Sequence, residues 1–259
     1  MRILLGLSLC AIFIWSCEES REACLDLNAS NFDFGAVSAC DSCCTYPVFS
    51  LPVTLNYDSL TFDFDSSYVL SQGDTLSLTS FQFVLSDFQL VGTDSVYRIR
   101  NSLGSEESKV FDDFYLVRSN RLSSKTIGNT DFVDDIKQLN FSLGLDPDEV
   151  AQLKPYEFLD DDTNLSLVID SLYNSDIDSF NIFEIKFNLN SIPYEFDWTS
   201  DEIHEFTFKT ARFLIPGDSW SIDLAIDIKE LFYEISSVQS ADLMSEKLLE
   251  NFDNSMSVN

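Results

Sequence analysis

A single histidine, His204, serves all 259 residues. A Ser/His/Asp triad would have to use it, and no G-x-S-x-G elbow is present to carry the serine. Positive charge is scarce as well: 15 Lys and Arg stand against 44 Asp and Glu, a formal net charge of −29. Such a field repels phosphate backbones and anionic lipid surfaces, so no nucleic-acid partner is expected. Glycine is limited to 8 residues. Neither G-x-x-x-x-G-K-[ST] nor G-x-G-x-x-G occurs, which excludes the usual phosphate-cradling loops. The three methionines, Met1, Met244 and Met256, form no cluster of soft ligands for copper. No internal repeat is visible. Paired carboxylates arise by chance among so many acids and do not signal glycoside cleavage. The chain is expected to be non-enzymatic.

What is abundant is aromatic and aliphatic surface. Hydrophobic residues make up 45% of the chain and 23 residues are Phe, ample for a core despite the acidity. Much of it alternates. Phe183, Ile185, Phe187 and Leu189 are separated by Glu184, Lys186 and Asn188. Trp220, Ile222, Leu224, Ile226 and Ile228 repeat the pattern, as do Val53-Leu55-Tyr57, Phe62-Phe64, Phe81-Phe83-Leu85 and Phe206-Phe208. A period of two gives each strand one buried and one wet face. Further strands are expected in 94–100, 110–117, 138–143 and 165–170, separated by polar loops such as "SQGD", "GTDS" and "IPGDS". Many short strands with a polar outer face predict an all-β, antiparallel β-sandwich with few short helices. The helices expected are a capped turn or two at "DPDEVAQLK" (146–154) and an amphipathic helix at "SADLMSEKLLENF" (240–252). Ser240 is the expected cap of the latter, and Leu243, Lys247 and Leu248 are spaced for packing on the sandwich.

The N-terminus reads as an address. "MRILLGLSLCAIFIWSC" has Arg2, then an apolar run from Ile3 to Trp15, too short to span a bilayer but suited to a signal-peptide core. It ends in Ile14-Trp15-Ser16-Cys17, which resembles a bacterial lipoprotein signal. That resemblance implies cleavage before Cys17, lipidation of its thiol, and residence at the bacterial outer membrane, periplasmic or surface-exposed. The acidic "CEESRE" resembles the tags of surface-exposed lipoproteins. The expected membrane partner is thus reached through the lipid anchor.

All six cysteines lie at or before Cys44. With Cys10 in the signal peptide and Cys17 lipidated, Cys24, Cys40, Cys43 and Cys44 remain, an even number in an exported chain, which predicts disulfides. A bridge between adjacent Cys43 and Cys44 would be strained. Two pairings stay open: Cys24–Cys43 with Cys40–Cys44, or Cys24–Cys44 with Cys40–Cys43. The expected organisation is a signal peptide (1–16), a lipid-anchored, disulfide-stapled Cys-rich segment (17–46), a sandwich (47–238) and a C-terminal helix and tail (239–259). Within the Cys-rich segment, Asp26-x-Asn28-x-Ser30 starts like a calcium loop. It lacks the required Gly at the sixth position (Asn31) and Glu at the twelfth (Val37), so local turns are the expectation.

Four landmarks, "PVFSLPVTLNYD", "LSLTSFQFVLSDFQLVG", "QLNFSLGLD" and "SWSIDLAIDIKELF", follow in an order and spacing that resembles the MbnP-like family of bacterial secreted proteins, over roughly 47–235. The resemblance implies a β-sandwich, secretion and, in the best-known members, copper held by histidines beside an oxidised tryptophan. This chain departs from that pattern. Copper-binding members carry "W-x-W-x-x-G-Y" and a later "H-hydrophobic-G" segment, but here the corresponding 155–200 region has no His and only Trp198. No ligand can be carried over. His204 and Trp198 are the remaining copper candidates, although His204 opens an alternating strand and Trp198 suits an edge or core aromatic. For calcium, the candidates are Asp160, Asp161 and Asp162, against the plainer reading of a solvated acidic loop. The expected function is a non-enzymatic lipoprotein whose sandwich binds a protein or glycan partner, its copper site lost. The competing expectation is a copper-binding or metal-handling accessory.

Overall fold

The computed structural model describes residues 21–99, 102–103, 110–111, 114–119, 122, 125–145, 172–174, 179–199 and 204–259. The signal peptide, Cys17, the helical turn expected at 146–154, Asp160, Asp161 and Asp162, and the strand expected at 165–170 lie outside these residues. β1 (Glu22–Ala23) and β2 (Ser38–Ala39) belong to the Cys-rich segment. β3 (Val48–Leu51), β4 (Val53–Tyr57), β5 (Leu60–Thr61) and β6 (Tyr68–Val69) precede the 17-residue β7 (Thr75–Val91). β8 (Val96–Arg98), β9 (Ser102–Leu103), β10 (Val110–Phe111), β11 (Tyr115–Arg118), β12 (Lys125–Asn129) and β13 (Asp135–Leu143) follow. After β14 (Tyr173–Asn174) come β15 (Ser179–Leu189), β16 (Ile192–Thr199) and β17 (His204–Phe213). β18 (Trp220–Ser221), β19 (Leu224–Asp227), helix α1 (Ile228–Leu231), helix α2 (Ala241–Ser255) and β20 (Met256–Val258) complete the chain.

The all-β architecture is the expected one, with mainly antiparallel pairing. β7 organises the larger sheet. Its first half pairs with β15 through Phe81↔Ile185 and Phe83↔Phe183, and its second half pairs with β13 through Leu85↔Leu143 and Leu90↔Leu139. β11 runs along the opposite edge, with Tyr115 facing Leu85 and Val117 facing Phe83. β16 and β17 extend this sheet outside β15 and β13.

The sequence pattern suggests only a short strand at 81–85, because two bulges reset the alternation within β7. Ser80 and Leu78 face the adjacent Lys186 and Phe187, which leaves Thr79 unpaired. Ser86 and Gln89 face Ser142 and Asn140, so Asp87 and Phe88 together oppose Phe141. Asp87 has a φ of 53°, the left-handed backbone found in some bulges. The buried positions accordingly shift from Leu76 and Leu78, to Phe81, Phe83 and Leu85, to Phe88 and Leu90.

The smaller sheet contains β12-β3-β18 and β20-β19-β4-β5. One register runs through both: Trp220 faces Phe49 and Leu224 faces Val53, in parallel. Pro52 interrupts the ladder because it has no N–H to donate. Its carbonyl still accepts from Leu224 N at 2.8 Å. The expected single strand from Trp220 to Ile228 is therefore split, and its last residue begins α1. There the Asp227 side chain accepts from Lys229 N at 2.8 Å and turns the chain into the helix. Phe62 and Phe64 also differ from expectation: the strand beside them is only Leu60–Thr61, and their rings pack edge to face at 5.1 Å.

Helix α2 closes the core. Ser240 caps it as expected, accepting from Leu243 N at 3.4 Å. The buried stripe is Met244, Leu248, Asn251, Phe252 and Ser255, spaced for one helical face. Leu243, expected to pack inward, is 48% exposed. Asn251 Nδ2 donates to the Leu231 and Tyr233 carbonyls at 3.1 and 2.7 Å, satisfying acceptors at the end of α1. A second polar tie joins the start of β7 to the α1–α2 connection. The buried Asp74 accepts from Ser237 N at 2.7 Å and from the Ser237 hydroxyl at 2.9 Å. The Ser237 N–H holds this carboxyl below the usual range, against the opposing effect of burial.

The Cys-rich segment is a knot of local turns. Asp26 Oδ1 accepts from Asn28 N at 2.9 Å and Oδ2 from the Tyr46 hydroxyl at 2.8 Å, so this carboxylate serves backbone and ring. Asn31 bridges the other side, donating to the Cys43 carbonyl at 2.7 Å and accepting from Thr45 N at 2.9 Å. Cys24 and Cys44 form a disulfide. Cys40 and Cys43 are free thiols, so the structure forms one of the two expected bridges. The two thiols bracket a 3-10 turn at Asp41–Cys43: Cys43 N donates to the Cys40 carbonyl at 3.3 Å, and the Cys43 thiol donates to the same oxygen at 2.9 Å.

Candidate functional site

The two sequence candidates for copper, Trp198 and His204, lie on different strands of the larger sheet. Trp198 lies on β16 and stacks on Phe183 with centroids 4.6 Å apart. Phe183 in turn packs on Phe252 of α2 at 4.9 Å. His204 opens β17 opposite Leu143, and Phe206, two residues on and on the same face, lies 6.1 Å from Phe252. Asp253 follows Phe252 in the helix. Partial burial pushes its carboxyl up, and the nearby His204 draws it back down. The β15–β16 hairpin and the non-local antiparallel β13–β17 pair thus both approach the C-terminal turns of α2.

Among the described residues, this neighbourhood sets the His204 imidazole near the Asp253 carboxylate beside a ring of aromatic carbon. Copper(I) requires soft or imidazole ligands. Among the described residues, no group of three or more His, Cys, Asp and Glu is arranged to hold a metal ion. The donors near Trp198 and His204 among the described residues thus fall short of a set that would hold copper. Asp253 could not be found from the sequence, because only the docking of α2 brings it to His204.

The outer face of the same sheet presents a polar groove. Gln89, Asn140 and Thr207 lie in one row across β7, β13 and β17, and Ser142 and Glu205 form the next. With Asp87 they line a cavity of about 110 Å³. Asn140 Oδ1 accepts from Gln138 Nε2 at 3.1 Å and from Thr207 Oγ1 at 3.2 Å. Asp87 accepts from Gln89 Nε2 at 2.9 Å and is paired with Arg98 at 3.0 Å. Amides, hydroxyls and carboxylates fixed on rigid strands can donate to and accept from a polar ligand in a set geometry. The sequence signals them only as the polar half of each alternation; register makes them a surface.

Fold and site together define a two-layer β-sandwich built around aromatic rings, with a short disulfide-bonded segment ahead of it. The chain belongs to the MbnP family, whose model matches residues 46–246. The structure of MbnP from Methylosinus trichosporium is similar to it at 10% sequence identity and a TM-score of 0.41, over 72% of this chain and 77% of that one. No curated protein matches the chain. Among the described residues, no helix is long and apolar enough to cross a membrane.

Proposed function

We propose that this MbnP-family chain is a non-enzymatic lipoprotein of the bacterial outer membrane or cell surface. Its sandwich acts as a binding module, and the family's copper site has been lost. The observation that carries the binding role is the outward groove of Asp87, Gln89, Asn140, Ser142, Glu205 and Thr207. Its side chains suit a protein or glycan partner rich in hydroxyls or cationic groups, and the net charge of −29 favours the latter. Loss of copper is supported by the single histidine of the chain.

The test compares wild type with the double variant Asn140→Ala/Glu205→Ala in capture from native cell envelopes, alongside anaerobic Cu(I) titration. Wild type is expected to retain a partner that the variant releases, and to show no saturable Cu(I) binding that depends on His204. A wild-type chain that captures nothing and binds Cu(I) through His204 would establish the copper-handling alternative. That alternative rests on family membership and on the approach of His204 to Asp253.

The anchor has its own test. Acyl chains supply membrane affinity that so acidic a surface does not. Cys17→Ala should abolish palmitate incorporation and release the protein from the membrane fraction. A Cys17→Ala protein that stayed membrane-bound would refute the lipid anchor.

A further inference from the structure

The four cysteines of the N-terminal segment divide into two chemically different pairs. Cys24 is 1% exposed and bonded to Cys44, so its sulfur is shielded from reagents in solution. Cys40 and Cys43 are both half-exposed and carry free thiols. In a 3-10 turn, side chains three residues apart eclipse one another, which brings these two sulfurs to the same side. The Cys43 thiol donates to the Cys40 carbonyl at 2.9 Å and interacts with the Cys40 side chain beside it.

The frame around this turn is fixed. Cys40 N donates to the Ala23 carbonyl at 3.0 Å, beside the parallel pairing of β1 and β2. The Cys43 carbonyl is held by Asn31 Nδ2, and the next residue is the bridged Cys44. The turn is thus tied down at both ends, while its two thiols face the same side within reach of solvent.

We propose that Cys40 and Cys43 are an exchangeable dithiol–disulfide site that reacts with the disulfide of a partner molecule, beside a Cys24–Cys44 bridge that is purely structural. The two thiols have different roles. The Cys43 thiol is pushed up to about 11, first by its hydrogen bond to the Cys40 side chain, then by burial and by the Cys40 charge. The Cys43 thiol is already engaged as a donor to the Cys40 carbonyl, so Cys40 is the attacking sulfur and Cys43 the resolving one.

Cys40, as thiolate, displaces one sulfur of the partner disulfide. A Cys40–partner mixed disulfide forms, and the expelled thiolate takes up the proton Cys40 gave to solvent. Cys43 then loses its proton and attacks Cys40 Sγ, which releases the second partner thiol. Two electrons and two protons pass from the Cys40/Cys43 pair to the partner, which leaves as two thiols. In the reverse direction, a partner dithiol reduces the Cys40–Cys43 bond.

The test equilibrates the full-length protein at graded ratios of reduced to oxidised glutathione, quenches with an alkylating agent, and maps the cysteines by mass spectrometry. Cys40 and Cys43 should pass together from alkylated to linked while Cys24–Cys44 stays linked throughout. Cys43→Ser should accumulate a glutathione adduct on Cys40. Cys40→Ser should accumulate less on Cys43, whose thiol stays hydrogen-bonded to the backbone carbonyl of residue 40. A parallel arm offers insulin as the oxidant: linkage there marks a protein disulfide as substrate, and linkage by glutathione alone marks a small one. If Cys40 and Cys43 remain alkylatable in excess glutathione disulfide, or if both pairs reduce at the same ratio, the proposal is overturned.

Discussion

Phe252→Ala should lower the stability of the sandwich by about 4 kcal/mol, the upper part of the range for deleting a buried ring. Phe252 is fully buried and lies within 6.4 Å, centroid to centroid, of Phe81, Phe83, Phe183 and Phe206. Those four rings come from β7, β15 and β17, so one side chain of α2 packs across three strands of the larger sheet. Truncation forfeits the apolar transfer energy of the ring. It also opens a cavity that cannot collapse, because its walls are strands held by ladder hydrogen bonds. Urea unfolding should show a lower midpoint with an unchanged slope. Leu243→Ala on the exposed side of the same helix should change stability by no more than about 0.5 kcal/mol. A loss below about 1 kcal/mol for Phe252→Ala would show that α2 is not integral to the core.

The second large effect concerns the Cys-rich segment. Cys24 and Cys44 are 20 residues apart in sequence. In the chain-entropy account a loop of that length stabilises the closed form by about 3 kcal/mol. The sandwich has its own aromatic core, whereas Leu25, Leu27, Phe34 and Val37 in the loop are all exposed, so apolar burial contributes little there. The double variant Cys24→Ser/Cys44→Ser should therefore lose hydrogen-exchange protection across 21–46, at amides such as Asp33 and Cys40, by roughly 100-fold, the equivalent of about 3 kcal/mol. Amides of β13 and β15 should keep theirs. Unchanged protection of Asp33 and Cys40 would show that the segment is held by its turns and not by the bridge.

Several elements were legible because local chemistry decides them. The alternation of Phe183, Ile185, Phe187 and Leu189 becomes the core face of β15, and Ser240 caps the helix it precedes. The MbnP landmarks were legible as a resemblance, and the family match over 46–246 bears that out. What escaped depended on partners distant in sequence. The full length of β7 was hidden because bulges at Thr79 and Asp87 reset its alternation, and a bulge is defined by the opposite strand. The break after Trp220–Ser221 reflects Pro52, about 170 residues earlier, which withholds one ladder donor from a parallel partner.

The candidate site divides along the same line. With one histidine and three methionines, composition leaves copper(I) few imidazole or thioether donors wherever the chain folds. The excess of carboxylates likewise sets the sign of the surface field. Composition could not show that Trp198 stacks on Phe183 or that His204 lies near Asp253; the β15–β16 register decides the first and the docking of α2 the second. Nor could it align Gln89, Asn140 and Thr207 into a row, because strand register is a property of the pair. Among the cysteines, spacing limited the plausible pairings to two. Only the folded turn, which brings Cys24 to Cys44 and places Cys43 against Cys40, separates a buried bridge from a pair of accessible thiols.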